Sequence, residues 1–217
     1  MATRSLRLER PVLLTDLAVE RIRDAIVQGD FKLGELVSEA QIAAQLGTSK
    51  TPVREALVRL KMEGLVDVHP QRGTEVFRLN HDEVGKLCRF RAMLELAALR
   101  EAAATQREDL LVAMKRLIDE LAVAEAAGDL SALARIDMDF HYQFFVYCDN
   151  EYLRGAYDLI RYQLLALRHR SPIEECVDTH QVLYDAIAAN DIDGACRLLD
   201  EHVGNTETRY CDANDVQ

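Results

Sequence analysis

The sequence predicts a mainly α protein: an N-terminal winged helix-turn-helix followed by a C-terminal antiparallel all-α helical bundle. Three observations carry this expectation. Apolar residues recur at helical spacing through most of the 217 residues. The period changes from 3.6 to 2 between residues 65 and 77. Charge is also unevenly divided. Residues 1–79 hold 12 Lys/Arg against 11 Asp/Glu, and residues 80–217 hold 14 against 26. The net charge of −11 therefore belongs to the second half, which marks two domains with different partners. The expected division is a flexible arm over 1–11, a winged helix-turn-helix over 12–78 and a helical domain over 79–212.

Composition excludes several classes. Hydrophobic residues make up 49% and charged residues 29%, as in ordinary globular chains. No apolar run approaches the ~20 residues of a membrane span, so no membrane partner is expected. The start carries Arg4, Arg7 and Arg10 without the apolar core of a signal peptide. Five cysteines are scattered without a CxxC pair, which fits free thiols in a reducing, cytoplasmic compartment.

The first helix is expected over 14–28, with Leu14, Leu17, Ala18, Ile22, Ala25 and Ile26 on one face and Gly29-Asp30 as its stop. Phe31 to Gly34 reads as a connector. Ser38 and Gln41 have capping-box spacing and open a short helix carrying Ile42, Ala43 and Leu46, which Gly47 ends. Ser49 is a plausible N-cap for the next helix, and Pro52 is tolerated in its first turn. Val53, Ala56, Leu57 and Leu60 form its buried stripe before the stop at Gly64.

Two short helices around a Gly-containing turn have the form of a helix-turn-helix. In that motif the start of the second helix meets base edges in the major groove. Ser49, Lys50, Thr51, Arg54 and Arg59 are the candidate DNA contacts there, cations and hydroxyls suited to guanine edges and phosphates. Residues 65–68 and 74–77 then alternate, with His69 to Gly73 between them. They read as a hairpin wing whose tip offers Arg72 and Gly73 to the duplex. The expected partner is a double-stranded DNA operator.

This stretch resembles the GntR family of winged helix-turn-helix regulators. The resemblance rests on Leu36 to Glu39, Ile42-Ala43, Leu46-Gly47, the block from Thr51 to Leu57, Leu60, Glu63 to Val66 and Arg72 to Thr74. Where many relatives carry Arg, this chain has Ala40 and Lys50. Lys50 offers a point charge in place of a bidentate fork.

From Asn80 the chain reads as six helices over 82–104, 107–127, 130–148, 150–169, 172–189 and 191–210, with Asn80 or Asp82 as the opening cap. Their default arrangement is an antiparallel bundle, whose interior can hold a ligand or metal. Asp137 and His141 stand at i, i+4, and His180 and His202 lie on or beside apolar stripes. On spacing alone the more ordinary reading is hydrogen-bonded core histidines and a surface pair.

The second half is similar to the FCD domain that accompanies one branch of the GntR family. Arg91 to Glu95, Asp137-x3-His141, Asn150, His180 and His202 carry the likeness. It implies that Asp137, His141, His180 and His202 bind a divalent metal, zinc or nickel first and manganese or iron next. It also implies the shorter six-helix subtype. Arg91 is the candidate clamp for a small organic acid effector, with Glu95, Arg135 and Tyr142 beside it. The other reading of Arg91 is an ion pair with Glu95 in its own helix.

The function expected is a homodimeric DNA-binding regulator under effector control, a repressor or an activator, and not an enzyme. A regulator for which the metal itself is the signal is the alternative. A metal-dependent hydrolase ranks below both, because no general base stands at a spacing such as that of HExxH.

Overall fold

The computed structural model describes residues 13–69, 72–171 and 176–215. The predicted arm 1–11, together with Pro70, Gln71 and Pro172, lies outside the described residues.

The N-terminal part begins with α1 (Leu14–Gln28), which buries Ala18, Val19, Ile22, Ile26 and Val27. The buried stripe is rotated from the predicted one, and Leu14 and Leu17 are exposed. A short strand β1 (Leu36–Val37) precedes α2 (Glu39–Leu46). Ser38 and Gln41 form the capping box, satisfying two otherwise unpaired donors at the start of α2. Gly47 takes the left-handed conformation at the turn (φ 63°). The second helix, α3 (Lys50–Met62), buries Val53, Ala56, Leu57 and Leu60 as the apolar spacing requires.

The wing is the antiparallel pair β2 (Val66–His69) and β3 (Gly73–Val76), in the register Val66–Val76 to His69–Gly73. Sequence patterning missed β1. It pairs with β3 through Leu36–Glu75 and Val37–Thr74, giving the sheet order β1-β3-β2. Two residues are too short a run for any period to register, and pairing with β3 is what makes them a strand.

Asn80 caps α4 (His81–Thr105), again through a capping box, with Glu83. The bundle continues with α5 (Arg107–Ala127), α6 (Leu130–Tyr147), α7 (Glu151–Asp158), α8 (Arg161–Arg170), α9 (Cys176–Ala188) and α10 (Ile192–Asp215). The six-helix expectation is corrected to seven among the described residues. The helix predicted over 150–169 divides at Leu159-Ile160. No Pro or Gly marks that break. Tyr157 stacks on Phe145 at 4.2 Å and donates to Glu95 at 3.2 Å, which seats α7 against α4. The chain then turns, and α8 packs against α1, α6 and α10. No helix of the described residues is long and apolar enough to cross a membrane.

Candidate DNA-binding surface and metal site

The start of α3 presents an exposed polar surface. Ser49 takes the N-cap position in extended conformation, but its side chain makes no capping hydrogen bond. Lys50, Thr51 and Arg54 are exposed beside it. Arg54 is held in a two-point ion pair with Glu39 of α2, Nε to Oε1 at 3.0 Å and Nη2 to Oε2 at 2.7 Å. That pair lowers Glu39, and it fixes the direction of the guanidinium fork. Arg59 turns elsewhere, pairing with Asp16 of α1 at 2.5 Å, one and a half turns along α3. Arg72 is exposed at the wing, and Gly73 follows it with φ 106°.

In the bundle, α6 carries Asp137 and His141 one turn apart, both buried, facing His180 of α9 and half-buried His202 of α10. One donor atom from each of these four residues lies within 4.8 Å of the others. Packing orders this convergence. Phe140 meets the His180 ring edge-on at 4.5 Å, and the His141 and His202 rings stack at 5.0 Å.

Hydrogen bonds outside the cluster set which ring nitrogens face inward. His141 Nδ1 stands 2.9 Å from Glu95 Oε2, so it donates and leaves Nε2 as the inward lone pair. That Nε2 lies 3.2 Å from His202 Nε2. His180 Nδ1 donates to the carbonyl of Cys176 at 2.5 Å. His180 Nε2 is buried without a directed hydrogen bond, although Asp137 Oδ1 is 3.3 Å away. A buried nitrogen left without a hydrogen bond needs a partner. Three imidazole nitrogens and one carboxylate oxygen make a donor set suited to a divalent transition metal. Carboxylate and carbonyl partners on the outer nitrogens are the usual support for metal-binding histidines. The residues present fit the ion.

The electrostatics divide the three histidines. Burial lowers His141 and His202, keeping their lone pairs free at neutral pH. Burial would lower His180 too, but Asp137 and Cys176 beside it reverse this and raise it to about 10, so His180 must give up a proton before its Nε2 can hold an ion. Burial would raise Asp137, yet the charge of Arg168 holds it well below the usual carboxylate range. Arg168 reaches Asp137 with Nε to Oδ2 at 2.8 Å and Nη2 to Oδ1 at 3.3 Å.

Arg91 and Glu95 are fully buried and paired at 2.6 Å. Glu95 orients His141, so its place is behind a ring nitrogen and away from open space. Arg135 and Tyr142 are seven residues apart, on the far side of α6 from Asp137. Arg135 is exposed and pairs with Asp139 at 3.7 Å, and Tyr142 donates to Asp158 at 2.9 Å. Neither lines the open space beside the histidines. That space has two chambers of about 200 and 270 Å3, sharing Thr179, His180, His202 and Asn205. Arg168 and Arg209 line the larger one. Sequence reasoning missed both arginines, because no spacing ties residues 168 and 209 to residue 137.

Residues 14–76 match the model of the gntR family of bacterial regulatory proteins, and residues 86–205 match the FCD domain. The chain belongs to the GntR family. This GntR protein is 32% identical over 197 residues to the "Probable D-xylose utilization operon transcriptional repressor" of Paenarthrobacter nicotinovorans, covering 84% of each chain. It is 26% identical to the HTH-type transcriptional repressor RspR of Escherichia coli K12, over 84% of this chain and 82% of that one. Among solved structures it shares its fold with a GntR regulator from Rhodococcus sp. RHA1, at TM-score 0.77 and 22% identity, covering 92% of this chain and 98% of that one. E. coli McbR/YncC superposes at TM-score 0.75 and 22% identity, covering 93% and 99%. As a GntR-family protein with an FCD domain it is a DNA-binding transcriptional regulator and not an enzyme.

Proposed function

We propose that this regulator binds an operator as a homodimer and that a small organic acid, held beside a divalent metal in the bundle, controls its affinity. The observation that carries the reading is the inward convergence of Asp137, His141, His180 and His202, with the outer nitrogens of His141 and His180 occupied by Glu95 and the Cys176 carbonyl. Zinc or nickel suits this donor set best, with manganese or iron next. When bound, the metal supplies a Lewis-acid point for a carboxylate oxygen. The chain supplies the second anchor. Arg168 Nη1 is buried with no hydrogen-bond partner, and Arg168 lines the larger chamber. A carboxylate oxygen there would satisfy it with a charge-assisted hydrogen bond, while Nε and Nη2 stay on Asp137. Arg91, the anchor expected from sequence, also keeps one nitrogen, Nη2, without a partner, but it does not line the chamber. The open volume favours an organic effector over a metal acting alone as the signal.

On the DNA side, Lys50, Thr51 and Arg54 read the major groove of each half-site, while Arg72 and Gly73 meet the backbone or minor groove. A two-fold dimer then reads a near-palindrome. Repression from a cytoplasmic site is the favoured outcome, since both relatives named above are called repressors.

The first test is elemental analysis of protein never exposed to a metal column or chelator. About one metal per chain, lost in His180→Ala, is the expected result. A ratio near zero in the wild type would remove the metal from the reading and leave the DNA-binding assignment intact.

A further inference from the structure

Helix α8 touches the cluster on one side and the DNA-binding domain on the other. Arg161 and Arg168 are seven residues apart and so share one face. Both grip α6, Arg161 through Asp139 at 2.9 Å and Arg168 through Asp137 at 2.8 Å. Gln163 and Arg170 are also seven apart, offset by two residues and so on the opposite face. Both grip the DNA-binding domain. Gln163 Nε2 donates to the Gly64 carbonyl, at the stop of α3, at 2.8 Å. Arg170 Nη2 donates to Ile26 O at 2.8 Å and Phe31 O at 3.3 Å, and its Nη1 donates to Val27 O at 3.2 Å. A side chain of the bundle thus caps the last turn of α1, where carbonyls lack helical partners and a cation suits the helix dipole. Beside it, Arg23 of α1 lies over the Tyr162 ring at 4.2 Å.

Interfaces between domains of one chain permit relative motion by default. These contacts are directional hydrogen bonds, so a shift of α8 must break or remake them. We propose that α8 carries the occupancy of the cluster to the DNA-binding domain. A change in the Arg168–Asp137 grip moves α8, and Arg170 and Gln163 pass that movement to the ends of α1 and α3. The two ends of the route are the candidate metal ligand Asp137 and the stop of the DNA-reading helix. The inference rests on the cluster being the ligand site, and the coupling requires that a ligand favour one position of α8 over another.

The test is amide hydrogen exchange on the full chain with Zn2+ alone as probe, alongside elemental analysis. In the wild type, Zn2+ should change exchange in residues 24–33 and 60–66. Arg170→Ala should keep Zn2+ binding and lose the change at 24–33. Gln163→Ala is the milder companion and should lose the change at 60–66. Bound Zn2+ with no change at 24–33, or a change that survives in Arg170→Ala, overturns the coupling. If elemental analysis finds no Zn2+, the metal reading fails, and the coupling is then read from Asp137→Asn without metal. Loss of the grip should speed exchange at 24–33 by about tenfold. Equal exchange in that variant and the wild type overturns the coupling on its own.

Discussion

Glu95 Oε2 accepts from His141 Nδ1 at 2.9 Å, linking a fully buried carboxylate on α4 to a buried imidazole on α6. The same carboxylate accepts from Arg91 and Tyr157. It is therefore a fixed acceptor, and it leaves His141 Nε2 as the lone pair facing the cluster. Glu95→Gln keeps the shape and loses the charge. Metal affinity, measured by competition with a chromophoric chelator, should fall by about 10- to 100-fold. Affinity equal to wild type would mean that Glu95 only supports the fold.

The same residue sets an acid limit on stability. Burial opposes its charge, but Arg91 and His141 together lower Glu95 from 4.5 to about 2. A carboxylate depressed on folding stabilises the native state above its unfolded value, and that contribution is lost as pH falls. The loss should run from about pH 4.5 toward pH 2. Asp137, held down by Arg168 despite burial, acts in the same direction. Urea unfolding at a series of pH values should show this slope in the wild type and a shallower one in Glu95→Gln.

Arg54 and Glu39 form the other decisive pair. If Glu39 aims the guanidinium at a base, Arg54→Ala should weaken binding to an operator obtained by selection, about tenfold or more at fixed salt. Glu39→Gln should weaken it less, since the cation remains. Unchanged affinity in Arg54→Ala would assign base reading to Lys50 and Thr51.

Gly64 ends α3 with φ +69°, and a Cβ there would stand 2.9 Å from Gln163 Nε2. Gly64→Ala should cost about 1–2 kcal/mol from the left-handed backbone, seen as a lower melting temperature. Adding Gln163→Ala removes the crowding but not the backbone strain. The double variant should therefore recover only part of the loss, and full recovery would locate the cost in the side-chain contact.

Local chemistry made much of this protein legible in one dimension. The capping box at Ser38 and Gln41, the left-handed Gly47, the stripe Val53 to Leu60 and the Asn80 cap are short-range signals, and the structure places each as its spacing requires. Asp137 and His141 also declared a shared face, because four residues make about one turn. What sequence could not decide was everything set by long-range packing. The break at Leu159-Ile160 follows from Tyr157 docking on Glu95 and Phe145, and β1 exists because β3 lies beside it. The facing of Arg168 toward Asp137, 31 residues away, and of Arg170 toward α1 follows from how α8 sits between two domains. Periodicity assigns a residue to a face of its own helix, but only the packed fold determines what stands opposite that face.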